Sequence, residues 1–444
     1  MRSTYAVLIV VLLLVGCGKD SQNSVSNSSQ RSAITDLGGV DTAYAVAIQA
    51  DDKVVAAGES GSKFAVVRYN STGTLDTKFN KGRKVITAIG TASSARATAI
   101  QSDSKIVVAG NSDGKIALAR YTSGGLPDTT FNGTGKVVSI PGSSAAVAIQ
   151  SDSKIVVAGS ANNHFVVARY SASGALENQV PIQLFDQDEC HAMALQSDGK
   201  ILVAGKSRGT STIVTQQFSC QVCTQQLVFA GYDEFGQPIY NTQDVCRAAL
   251  SPFEPGAVCT NTYNTQIVTK NYFGIARLNA DLSLDISFDT DGIALLEYGG
   301  VDSEAWSIAL QDSKILISGI VGGSDGSDFA TTRLYADGSL DTSFGNTGWA
   351  KTTAGGVDYV RAVKSNSDGS SIVMGGVAGN FAAIKYTASG LVDTTYGASG
   401  IAKVAAGDAW AGALDGYGRA IVAGSFSGNF SVKRFTAAGL LDTF

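Results

Sequence analysis

The 444-residue sequence is short of charge: only 16% of its residues are Asp, Glu, Lys or Arg, where an average domain has about 25%. It is also short of proline (6), methionine (3) and histidine (2). So little charge excludes a set of solvated helices. The 51 glycines, with abundant Ala, Val and Ser, point instead to many short buried strands joined by tight turns. The formal net charge is -5 and no Lys/Arg cluster is present, which leaves no basic footprint for nucleic acid.

Long apolar runs are equally scarce. The one at the N-terminus, Tyr5 to Val15 after Arg2, is too short to span a bilayer and suits the core of a signal peptide. It ends in Leu14-Val15-Gly16-Cys17, which resembles the bacterial lipobox. That resemblance implies that residues 1–16 are removed and that the Cys17 thiol is diacylated. Gly18 in the next position resembles outer-membrane sorting in Gram-negative bacteria. Residues 17–32 are then a lipidated cysteine and a polar, aperiodic tether. The expected location is the bacterial cell envelope, at the outer membrane, with the lipid as membrane contact.

What the sequence does have is a repeat. K-[IV]-[VL]-V-A-G ends at Gly58, Gly110, Gly159 and Gly205, with looser copies ending at Gly319, Gly376 and Gly424. Each copy follows an Ala-rich segment such as Ala45–Gln49 and a short Asp/Ser/Gly turn. After it come a strand such as Phe64–Tyr69, a Gly turn, LDTxF and a last strand such as Lys84–Ile89. Four antiparallel strands per repeat of this length make a β-propeller blade, with the Ala-rich strand innermost, where space is least. The chain stops at Phe444, before the last strand of repeat seven, and Ala33–Gly39 matches the missing strand. The expected fold is therefore all-β: a seven-bladed propeller over residues 33–444, closed by pairing the N-terminal strand into the last blade, which removes exposed edges.

The segments AIQSDSKIVVAG, ending at Gly110, and LYADGSLDTSFG, ending at Gly345, resemble the delta-60 repeat family. The resemblance spans nearly all of residues 33–444 and implies a propeller-like repeat without implying an activity. Repeat three departs from it, since Leu176–Phe185 replaces LDTxFxxxG, and an irregular outer edge is expected there.

Each repeat also holds a cation eight residues before an acid: Arg68/Asp76, Arg120/Asp128, Arg169/Glu177, Arg277/Asp285, Arg333/Asp341, Lys385/Asp393 and Arg434/Asp442. That spacing spans one hairpin, and a partly buried ion pair is expected in every blade. A functional ring of seven arginines is the rival reading.

Function is expected where the repeat breaks. The position before the inner strand aligns as Tyr44, Arg96, Ala145, His191, Trp306, Tyr359 and Trp410, near the mouth of the central funnel. Asp41, Asp188, Glu189, Asp302, Glu304, Asp358 and Asp408 precede these positions. Rings beside carboxylates suit sugar stacking or cation binding, while the bland reading is that the rings staple blades and the acids cap turns. Residues 206–271 form an insertion in the fourth repeat, on the same face, carrying Cys220, Cys223, Cys246 and Cys259. Two disulfides suit a secreted chain better than a zinc site, with three connectivities open and Cys190 left over. Asp186–Glu189, followed by Cys190 and His191, is the densest run of chelating groups, and a solvated loop is its alternative reading. No catalytic set, metal or cofactor is implied. The expectation is a binding or scaffolding module for a protein or glycan partner; the alternative is a glycan-active envelope enzyme with an acid-lined funnel.

Overall fold

A computed structural model describes residues 33–232, 238–248, 257–322, 327–356, 358–404 and 407–442, and for 211–268 the backbone alone. The signal peptide, Cys17 and the tether lie outside the described residues. The chain is an all-β, seven-bladed propeller. Blade 1 is typical: Asp41–Ile48, Val54–Ser60, Phe64–Tyr69 and Val85–Thr87 pair in order as one antiparallel sheet. The second strand is buried on both faces because another sheet lies on each side. The core accordingly sits between blades: Val55, Ala57 and Phe64 of blade 1 pack against Ile106, Val108 and Ala117 of blade 2.

The ring closes through the chain ends. Ala33–Thr35 pairs antiparallel with the third strand of blade 7, Asn429–Phe435, setting Ile34 opposite Ser431. The Thr35 hydroxyl then meets the Tyr69 hydroxyl of blade 1 at 2.9 Å. The same Thr–Tyr pin links blades 1 and 2 (Thr87–Tyr121, 2.6 Å) and blades 5 and 6 (Thr352–Tyr386, 2.8 Å). The closing contact is thus an ordinary blade-to-blade contact.

The repeat glycine has a steric cause. In every blade the inner strand carries a bulge, and the carbonyl two residues before the bulged residue presses on the second strand. A Cβ on Gly58 would stand 1.9 Å from the Thr42 oxygen, and one on Gly375 would stand 2.0 Å from the Tyr359 oxygen. In blade 6 the structural equivalent of Gly58 is therefore Gly375, not Gly376; the looser sequence there had shifted the alignment by one.

Two further expectations meet the structure differently. The outer edge of blade 3 is regular: Leu176–Ile182 pairs along Phe165–Tyr170, with one register shift next to Tyr170. Losing the LDTxF loop lets the chain turn straight back into a hairpin. The fourth-repeat insertion continues its flanking strands rather than leaving them, as Ile201–Tyr232 and Ala257–Leu278 form one ladder from Ile201/Leu278 to Val222/Ala257. Pro238–Ala248 pairs on the other side of the first of these strands.

Candidate functional site

A bulge adds one residue to a strand and re-aims its side chain. Here the seven bulges turn seven side chains toward one end of the central channel: Tyr44, Arg96, Ala145, His191, Trp306, Arg361 and Trp410. Tyr359 is not among them. It sits two residues earlier and packs its ring 5.2 Å from the Arg361 guanidinium carbon, with its hydroxyl buried. The misreading arose because blade 6 reads Ala362-Val363-Lys364-Ser365-Asn366 where other blades read like Ala45–Gln49. Arg361 and Lys364 are the two site residues that the alignment missed.

Six of the seven bulge groups stack in succession around the channel. The His191 ring lies on Trp306, with centroids 4.0 Å apart and planes 7° apart. Arg361 is held between Trp306 and Trp410, its guanidinium carbon 4.4 Å from each ring. Trp410 meets Tyr44 edge-on at 5.4 Å, and Arg96 covers Tyr44 at 3.9 Å. Blade 3 contributes only the methyl group of Ala145, so the succession is open between Arg96 and His191. Below this ring lies a cavity of about 600 Å³ that also reaches Met193 and Lys364.

The acids divide by role. Asp41, Asp188 and Asp358 are buried and accept backbone N–H groups from Leu37, Leu184 and Ala354 across the loops that join blades. Burial pushes the Asp358 carboxyl up to about 6, against the opposing Ala354 hydrogen bond. Asp302 likewise accepts from the Asn271 backbone. Glu189 and Glu304 instead stand at the rim, where their oxygens and a His191 nitrogen all lie within 4.8 Å of one another. Both are engaged: Glu304 meets His191 Nε2 at 3.0 Å and Glu189 meets Lys206 at 3.0 Å. The run Asp186–His191 is thus split, with Asp188 capping a turn, Cys190 buried, and Glu189 and His191 at the funnel. Burial also pushes the Cys190 thiol up to about 12, which makes it a poor nucleophile or metal ligand.

Each repeat cation touches its acid. Arg68 meets Asp76 at 2.9 Å, Arg120 meets Asp128 at 2.8 Å, Arg169 meets Glu177 at 3.1 Å and Arg277 meets Asp285 at 2.7 Å. Arg333 meets Asp341 at 2.7 Å, Lys385 meets Asp393 at 3.1 Å and Arg434 meets Asp442 at 2.7 Å. Each arginine also sends a second donor to a backbone carbonyl of the next blade, as Arg120 does to Ala172 at 2.6 Å and Arg333 to Ala388 at 2.6 Å. In several blades the lysine that opens the second strand reaches the same acid, as Lys314 reaches Asp341 at 2.7 Å. These side chains weld hairpins and blades; they do not line the funnel.

The seven pairs are not equally deep. The blade-3 pair is the shallowest at its acid, with the Arg169 side chain 17% and the Glu177 side chain 30% exposed. The cause is local: blade 3 lacks the LDTxF loop that covers the acid elsewhere, and its acid stands in the outer strand Leu176–Ile182 on a side chain one methylene longer. Its direct worth to stability is accordingly small, as for exposed ion pairs in general. Asp76 is buried, as Arg68 is and as Asp128, Asp285 and Asp341 are, and it accepts the Lys78 backbone N–H at 3.0 Å. The blade-1 lysine does not join it, because Lys53 is engaged with Asp51 at 2.7 Å; among the described residues, Arg68 is the ion-pair partner of Asp76.

The architecture defines the class, a seven-bladed β-propeller. Residues 49–79, 101–131, 150–179, 196–215 and 310–344 match the family described as a domain of unknown function (DUF5122) β-propeller. Those five segments match the repeats of that family, and a delta-60-like repeat family of β-propeller type is consistent with them. No curated protein matches the sequence. Among solved structures, it is similar to a catalytically inactive virginiamycin B lyase from Staphylococcus aureus with quinupristin, at 9% identity and a TM-score of 0.50, over 90% of this chain and 97% of that one. Drosophila Semaphorin 2a gives 10% identity and a TM-score of 0.49 over 92% and 75%. The Neurospora crassa Pan2 WD40 domain gives 9% and 0.46 over 88% of each chain. Identities this low show the fold alone, on proteins of varied function.

Proposed function

We propose that this protein is an envelope-anchored binding or scaffolding module whose working surface is the face bearing the bulge ring and the long blade-4 ribbon. The observation that carries the reading is the open seventh seat. Six planar side chains brace one another, and beside Ala145 the ring gives onto a cavity of a size that holds small ligands. Open sugar stacking has less support, because both faces of Trp306 are occupied, by His191 and Arg361. The glycan-active alternative is also weaker. Glu189 and Glu304 are each engaged already, by Lys206 and by His191.

The anchoring half of the proposal rests on the lipobox resemblance at Cys17. Replacing Cys17 with Ser is expected to move the protein from the membrane fraction to the soluble fraction. The binding half is tested by placing a photoreactive residue in intact cells at Asp408 on the rim, or at Tyr417 in a turn between first and second strands. Adducts at position 408 and none at 417 support the reading. Equal labelling, or none at 408, overturns it.

A further inference from the structure

We infer that the central cavity receives an anionic group, a carboxylate or phosphoryl carried on a slim ligand, with Lys364 as its deep contact and Arg96 and Arg361 at its entrance. This rests on the binding reading above and names the chemistry of what is bound.

The first observation is the wall itself. In six blades the residue three after the bulge is alanine: Ala47, Ala99, Ala148, Ala194, Ala309 and Ala413. Blade 6 alone places a lysine there. Lys364 lines the cavity, and among the described residues no carboxylate or hydrogen-bond acceptor pairs with it. Lys364 is half-buried, so a partly desolvated charge without a partner carries a cost there that the alanine of the other blades does not. The lysine is therefore explained by what comes to it.

A second, independent observation concerns the entrance. Arg96 and Arg361 form no ion pair among the described residues, although both line the same cavity. Each instead sits over a ring, Arg96 over Tyr44 and Arg361 between two tryptophans. A contact through the ring face positions the guanidinium without using its N–H donors, which stay free for an anion. Arg361 Nε and Trp306 Nε1 are buried donors without an acceptor. Such groups are normally satisfied in folded proteins. The two guanidiniums also repel each other, so an anion between them and Lys364 relieves three like charges at once. Glu304 and Asp408 exert an opposing field on Arg361 from the rim without lining the cavity, and the carboxylate that does line it, Glu189, is paired with Lys206 at 3.0 Å. A cationic ligand would meet the reverse arrangement.

The test uses the mature full-length protein in detergent, with inorganic phosphate and citrate as probes and sodium chloride at matched ionic strength as reference. Ligand binding to the folded state raises the melting temperature in a saturable way. The expected result is a saturable rise with phosphate or citrate beyond the chloride reference. Both Lys364→Ala and Lys364→Met are expected to weaken binding about tenfold or more, the loss of a hydrogen bond to a charged group. Lys364→Ala restores the residue of the other six blades, so its melting temperature without probe should equal or exceed that of the parent. No saturable rise in the parent protein, or an equal rise in both variants, overturns the inference. That failure would leave rim labelling at position 408 untouched, so the two readings fail separately.

Discussion

The Arg434 guanidinium of the last blade donates a 2.6 Å hydrogen bond to the carbonyl of Ser71 in the first. Arg434 also pairs with Asp442 in its own hairpin, so one side chain ties a turn, and then ties that turn across the seam of the ring. Arg68, Arg120, Arg169, Arg277 and Arg333 make the same double connection to the blade that follows each of them. The guanidinium suits this work because its donors point in two fixed directions.

Blade 6 departs from the pattern with Lys385, whose single nitrogen is engaged with Asp393 at 3.1 Å. An ammonium at that site has no second rigid arm to send to blade 7. Lys385→Arg is expected to reach the Ala437 carbonyl, the counterpart of Ala388 in the blade before, and to stabilise the fold by about 1 kcal/mol. Thermal or denaturant unfolding measures this. An unchanged or lower stability would show that the inter-blade bond contributes nothing beyond the ion pair.

Two adjacent glycines in blade 6 separate the steric rule from mere alignment. A methyl on Gly375 would strike the Tyr359 carbonyl, part of a fixed backbone bulge, at 2.0 Å. A methyl on Gly376 would strike the far end of the Tyr359 ring at 2.1 Å, and a side chain can move aside. Gly375→Ala is therefore expected to lose soluble protein or several kcal/mol of stability, as overpacked sites do, while Gly376→Ala loses less. The reverse order would refute the placement of the bulge.

The linear features of this fold were open to reading. The period, the Ala-rich inner strand and the match between Ala33–Gly39 and the fourth strand of the other repeats all lie along the sequence, and together they imply a closed ring. The eight-residue spacing of Arg333 and Asp341 belongs to the same class. What lay hidden was contact between repeats. Nothing near Arg333 in the sequence indicates Ala388, and nothing near Trp306 indicates that Arg361 and His191 cover its two faces. Spacing also says nothing of depth: Asp76 and Glu177 stand at the same distance from their arginines along the chain, yet one is buried and the other exposed. The funnel ring was nearly legible. It failed at Tyr359 because Lys364-Ser365-Asn366 breaks the pattern used to count, and the break is itself the residue that matters most. The outer edge of blade 3 differs for another reason: loss of the LDTxF motif shortens the loop and leaves a simpler hairpin, not disorder.

The blade-4 ribbon makes one of three possible cysteine connectivities the expected one. Its ladder sets Cys223 opposite Cys246 and Cys220 opposite Cys259. Directly facing positions on antiparallel strands have Cα separations of about 4.5–5.5 Å, within disulfide range. Peptide mapping without reduction should find linkages 220–259 and 223–246. Cys190, buried and with its thiol pushed up to about 12, should take up iodoacetamide only after unfolding. A linkage 220–246, or a Cys190 that is alkylated in the native protein, would contradict the register or the burial respectively.

Asp358 gives the fold a pH dependence opposite to that of an ordinary salt-bridged acid. Its carboxyl is buried, with one oxygen accepting from Ala354 N at 3.1 Å and the other unpaired, and its pKa stands at about 6 against an ordinary 3.8. The folded state therefore holds this proton more tightly than the unfolded state does. Its stabilising contribution is complete below pH 3.8 and is lost as pH rises through about 6. The loss at neutral pH is on the order of 3 kcal/mol. Asp358→Asn keeps an acceptor for Ala354 and carries no charge, so its stability relative to the parent should climb between pH 4 and 7 and level off above that. The acids of the hairpin pairs act in the opposite sense. Although burial works to raise it, Asp341 is held well below the usual range by Lys314, Ser343 and Arg333, and its contribution is lost only in strong acid. Unfolding curves for parent and Asp358→Asn across that pH range isolate the one group, since every other carboxylate is shared between them. A difference that stays flat from pH 4 to 7 would mean that the Asp358 carboxyl is already ionised, and solvated, in the folded blade.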